Sequence, residues 1–154
     1  MTASMITKIS TTCSALAAVA VLAAPSQAQA SCNNATINGA YASVANEWIG
    51  KTAPYTPLAA VRHTVFDGAT GKFTSFGYVS NQPLGTVTYF TLDGTYTVAA
   101  DCTMTATGLA EPQGTTATFF GVIAADSNKI YQIRTDANTE TIIFERVVSN
   151  QNTQ

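Results

Sequence analysis

The chain has 154 residues, in which 7 Lys+Arg stand against 9 Asp+Glu for a formal charge of −2. This balance excludes the basic surface of a nucleic-acid binder, and a hydrophobic content of 46% excludes a disordered tail.

Residues 1–30 open with a weakly basic stretch containing Lys8, run through apolar residues 15–24 and finish in Ala28-Gln29-Ala30. The pattern predicts a secretory signal cleaved after Ala30, with the product periplasmic or secreted. The apolar run is about half the ~20 residues that a spanning helix needs. Cys13 follows Ser10-Thr11-Thr12 and precedes the apolar run, so it lacks the setting of a lipid attachment site. No later segment is long and apolar enough to span. The expectation is one exported domain over residues 31–154 that does not insert in a membrane after cleavage. That span carries 6 basic and 9 acidic residues, a formal charge of −3, which disfavours phosphate backbones and anionic lipid as partners.

Cleavage would discard Cys13 and leave Cys32 and Cys102 as one pair in an oxidising compartment, so a disulfide between them is expected. The wide separation does not match the C-x-x-C spacing of redox or metal pairs.

The mature chain is rich in strand signals, with 21 threonines among its 124 residues alternating with apolar and aromatic side chains. Strands are predicted near residues 40–48, 59–66, 73–80, 86–92, 95–99, 102–109, 115–124, 130–135 and 141–148. In Gly94-Thr95-Tyr96-Thr97-Val98, alternation sends Tyr96 and Val98 to one face and the threonines to the other. Residues 99–101 read as a turn into a second strand with Met104 and Ala106 in the core, giving a hairpin with the disulfide near its bend. Asp67-Gly68-Ala69-Thr70-Gly71, Asn81-Gln82-Pro83, Asp126-Ser127-Asn128 and Asp136-Ala137-Asn138 supply turn chemistry. Asp93-Gly94 reads either as a tight turn or as an irregularity in one long strand, so the count is eight or nine. Such spacing predicts an all-β fold, an antiparallel closed barrel, with a β-sandwich as the alternative.

Gly39-Ala40-Tyr41, Phe66-Asp67-Gly68 and the stretch Gly94-Thr95-Tyr96-Thr97-Val98-Ala99-Ala100-Asp101-Cys102-Thr103 carry a family resemblance. The chain resembles small exported bacterial proteins similar to the calycin-like barrels, which include lipocalins and the allene oxide cyclase barrel. The likeness runs from Gly39 to about Arg146 and implies an eight- or nine-stranded calycin-like barrel. It departs from the pattern in a longer bend after Gly68 and in the polar run Arg62-His63-Thr64.

His63 is the only histidine, which excludes a His dyad or a multi-His metal site within one chain. Alternation puts His63 on one face with Val61 and Val65, and Arg62 on the other with Thr64 and Phe66. An inward Arg62 would require a carboxylate or an anionic ligand. Glu47 beside Trp48 is the carboxylate best placed for a barrel mouth. The aspartates fall at turns, where capping accounts for them; no G-x-S-x-G, phosphate-binding glycine loop or calcium-loop spacing occurs. No cofactor and no metal are expected.

Three functional readings follow. A binding module would hold a small, partly apolar molecule, with Trp48, Tyr78, Phe90 and Tyr96 as candidate aromatic walls. A cyclase- or isomerase-type barrel would work through Glu47, Arg62 or His63. An envelope or matrix protein would act through its outer surface.

Overall fold

The computed structural model describes residues 31–49, 56–81, 84–136 and 138–147. The expected signal segment, residues 1–30, lies outside the described residues. After a short 3-10 turn at Asn34–Ile37, eight strands follow: β1 Gly39–Ile49, β2 Thr56–Asp67, β3 Lys72–Asn81, β4 Thr86–Val98, β5 Thr103–Glu111, β6 Thr115–Ile123, β7 Lys129–Arg134 and β8 Thr139–Arg146. Every strand pairs antiparallel with its chain neighbours, and β8 closes onto β1. The result is a closed eight-stranded barrel, consistent with a calycin-like fold; closure leaves the sheet no edge strand.

The strands predicted at 86–92 and 95–99 are one strand. Asp93 and Gly94 keep the ladder on both sides, pairing with Thr74 and Phe73 on β3 and with Leu109 and Gly108 on β5. Gly94 is needed because a Cβ there would lie 2.0 Å from the Thr107 carbonyl oxygen. Here the glycine serves the close approach of two strands, not a turn.

One half of the barrel is filled. Phe66 is its hub, with ring centroids of Tyr96 at 5.1 Å, Tyr41 at 5.5 Å, Phe144 at 5.9 Å and Phe73 at 6.0 Å. Such aromatic pairs each contribute about 0.5–1.5 kcal/mol beyond the area they bury. Met104, Ile130 and Ile142 complete this core.

Residues 32–38 cork the same end. Asn33 caps the 3-10 turn, its side chain accepting from the Ala35 amide. Asn34 accepts from the Val98 amide at 2.8 Å, Tyr96 donates its hydroxyl to the Asn34 carbonyl at 3.0 Å, and Asn38 accepts from the Gly68 amide at 2.9 Å. Arg146 reaches in from the last residue of β8. Its guanidinium lies 4.8 Å from the Tyr41 ring centroid and donates to the carbonyls of Asn38 (2.7 Å), Ser127 (3.2 Å) and Thr36 (3.3 Å). The Cys32–Cys102 disulfide, with Cα atoms 5.0 Å apart, ties the cork to the β4–β5 bend. This bridge is compatible with an oxidising, exported location.

Candidate functional site

The other half of the barrel contains a cavity of about 150 Å³. Its walls come from the C-terminal ends of β1, β3, β5 and β7 and the N-terminal ends of β2, β4, β6 and β8. Leu58, Ala60, Val79, Phe90, Leu92, Ala117 and Phe119 supply the apolar side; Glu47, Arg62, Arg134 and Glu140 supply the polar side. All four ionisable groups follow the inward phase of their strands. The alternation that buries Tyr41 and Ala45 also buries Glu47, and the one that buries Thr64 and Phe66 also buries Arg62.

Buried charge is tolerated only when paired, and here each arginine of the lining has a carboxylate partner. Arg62 forms an ion pair with Glu140, their side chains 6% and 1% exposed. Arg134 donates through Nη1 to Glu47 at 2.7 Å and through Nε to Asp136 at 2.8 Å. Burial pulls the Arg62 guanidinium down to about 10, with Glu47 opposing the shift; it remains a cation at neutral pH. Asp136 is lowered: its burial acts in the raising direction but is outweighed by the Arg134 hydrogen bond and by amides of Asn138 and Thr118.

Arg62 also lies 5.3 Å from the Phe90 ring centroid, a cation–π contact that reaches across β3. Its register partner on β3 is Gly77, which in turn partners Phe90 on β4. Having no side chain at Gly77 clears the path between cation and ring. Below Arg62 the tube narrows to a void of about 10 Å³ bounded by Thr64, Ser75 and Gln132 among apolar residues. The Thr64 hydroxyl donates to Ser75 Oγ at 2.8 Å. Three buried side-chain atoms around this level, Arg62 Nε, Glu140 Oε1 and Ser43 Oγ, have no hydrogen-bond partner in the structure.

Of the residues singled out from sequence, Glu47, Arg62 and Phe90 come together in the cavity. Trp48 and Tyr78 do not: they are half exposed on the outer surface, because each occupies the outward phase of its strand. Tyr96 is buried, but at the corked end, where it holds the N-terminal turn. His63 faces outward and lies against Phe76, ring centroids 5.1 Å apart. Arg134 and Glu140 were missed by sequence reasoning. The available signal was phase: in Lys129–Arg134 and Thr139–Arg146 both sit in register with Ile130, Gln132, Ile142 and Phe144, which are inward.

The outer surface has two unlike flanks. Val122, Tyr131, Ile143, Val44, Val61, Tyr78 and Tyr89 are successive register partners across seven strands, each substantially exposed. On the other flank Thr95, Thr107 and Thr118 form the corresponding ladder, with Asp93 nearby. Among the described residues, no group of three or more His, Cys, Asp or Glu is placed to hold a metal ion. No protein-family model matches the chain, and comparison with curated proteins and with solved structures likewise gives no match.

Proposed function

We propose that this is an exported protein that binds a small, partly apolar molecule inside the barrel. The observation that carries the reading is the cavity of about 150 Å³, apolar on one side and bearing buried, paired charges on the other. A space of that size accepts a benzene-sized molecule, and apolar walls with a few convergent polar groups are the usual make-up of a small-molecule site. Paired charges in the filled core of a purely structural barrel would be a needless cost, since apolar residues of like volume serve stability as well or better. Native mass spectrometry of the protein purified from its own exported fraction tests the reading. A specific, denaturation-released adduct is expected, and Ala117→Phe, which fills the cavity, should abolish it. A clean apo mass together with no uptake of small aromatic probes would overturn it.

A second reading, action through the outer surface as an envelope component, draws on the exposed row from Val122 to Tyr89. Under that reading, Val61→Asp would release the protein from a surface assembly while leaving the cavity unaltered. A cyclase- or isomerase-type activity at the same cavity would centre on Glu47 and Arg62; His63, on the outer face, has no access to it.

A further inference from the structure

β4 outruns one of its neighbours. Its ladder with β3 starts at Thr86, opposite Asn81, whereas its ladder with β5 starts only at Thr91, opposite Glu111. Residues 86–90 therefore have a strand on one side alone, and among the described residues no other group bonds to their backbone on the open side. Which groups point there follows from the bonds at the far end of the strand. Tyr96 donates its amide to Gly71 on the β3 side, and Ala99 donates to Thr103 on the β5 side. Both registers run from there without a bulge, so the odd-numbered residues of β4 aim their N–H and C=O groups toward β5. Beyond the end of β5, Val87 and Tyr89 present theirs to solvent.

An open edge is where a further strand adds, and native proteins guard such edges with lysine, proline or a bulge. This one carries no guard. Thr86-Val87-Thr88-Tyr89-Phe90 has no charge and no proline, and Val87 and Tyr89 are 67% and 50% exposed. We infer that residues 86–90 are the seat of a two-fold symmetric dimer, in which this edge pairs antiparallel with the same edge of a second copy about an axis through Thr88. An antiparallel pair of identical strands is its own complement, so the contact closes after two copies. Val87 exchanges backbone bonds with Tyr89 of the second copy, Tyr89 does so with Val87 of the second copy, and Thr88 faces Thr88.

Three observations favour a second copy as the occupant. The facing pairs, aromatic on β-branched and threonine on threonine, are of the kinds that support a ladder. No charged residue lies between positions 84 and 92, so two chains that each carry a formal charge of −2 meet there without like charges opposed. The exposed row Val61, Tyr78, Tyr89 runs out at this edge, and the pairing carries it on through Val87 of the second copy.

Cysteine substitution reads the register directly. Thr88→Cys puts two thiols on the axis, where facing Cα atoms of an antiparallel pair stand about 4.5 Å apart and a disulfide can close. Thr86→Cys faces Phe90 of the second copy and stays out of reach of its own counterpart. For the protein purified from its own exported fraction, sedimentation velocity should show a concentration-dependent dimer. Mild oxidation should cross-link Thr88→Cys at least about tenfold faster than Thr86→Cys, and Val87→Pro, which removes an edge donor without touching the β3 ladder, should weaken the dimer at least about tenfold. A monomer at every concentration, including one whose open edge takes up an extended peptide of another protein, would overturn the inference. Equal cross-linking of the two cysteine variants, or a dimer indifferent to Val87→Pro, would do the same. Thr86 and Thr88 are both exposed, so the cysteine comparison decides the matter alone should the proline variant not fold. The pocket reading is untouched by any of these outcomes.

Discussion

Glu47 and Glu140 stand directly opposite each other across the β1–β8 ladder, both pointing into the barrel, and each is neutralised by an arginine from a strand on the far side of the pair. Like charges facing one another across a ladder are destabilising. The two carboxylates are therefore tolerable only because Arg62 reaches Glu140 from β2 and Arg134 reaches Glu47 from β7. Glu140→Met should cost about 3–5 kcal/mol by leaving a buried guanidinium without its counter-ion. Adding Arg62→Met should recover most of that loss. Urea unfolding of the two single variants and the double variant measures the coupling, and a double variant no more stable than the singles would refute it.

The cork should depend on Arg146 more than on any other single side chain near it. Arg146→Lys keeps the charge but cannot lie flat on Tyr41 and donate to three carbonyls at once. A loss of about 2–3 kcal/mol is expected for this change. Hydrogen exchange should show faster opening of the amides of residues 34–38, with the strands far from the cork unchanged.

Replacing both Cys32 and Cys102 by serine removes a link across 70 residues of sequence. On the chain-entropy account, this lowers stability by about 4 kcal/mol. The barrel ladders do not depend on the bridge, so far-ultraviolet dichroism should retain its strand signature while the chemical-denaturation midpoint falls.

Alkaline pH should withdraw the stabilising contribution of Tyr96. Burial pushes its hydroxyl up to about 12 from an ordinary value of 10.0, so between those values the folded state holds a proton that the unfolded state has lost. Its stabilising contribution is complete below pH ~10 and disappears as pH rises through ~12. Arg62 acts with the opposite sign: burial lowers it to about 10 in the fold, so its proton is held more tightly by the unfolded chain and its contribution improves as pH rises above ~10. The unfolding free energy of the wild type relative to Tyr96→Phe should therefore fall between pH 9 and 12. A difference that stays constant over that range would show that the Tyr96 proton makes no contribution.

The barrel was legible in the sequence because alternation survives even where composition is unusual. Thr95 and Thr97 outward with Tyr96 and Val98 inward, and Met104 and Ala106 inward on the next strand, follow from period two alone. The continuity of β4 through Asp93-Gly94 was not legible, since the dipeptide is an equally good turn signal; what decides it is the pressure of Thr107 on that backbone. Within the site, alternation separated Arg62 from His63 but gave no means of orienting the strand. That orientation came from Glu140, 78 positions away in the chain, which gives Arg62 its counter-ion. Trp48 and Tyr78 stand out as aromatics, yet their phase relative to buried Glu47 and half-buried, cavity-lining Val79 sends them outward.

The cork turns the barrel into a blind tube. With residues 32–38, Arg146 and the disulfide packed at one end, a ligand of the kind proposed would arrive and depart at the other, where Glu47, Arg134 and Glu140 lie. Uptake and release then share one path, so a second molecule cannot push the first out from behind. Residence time would be set by the ion pairs beside that path, which makes their strength a kinetic property of the protein as well as a structural one.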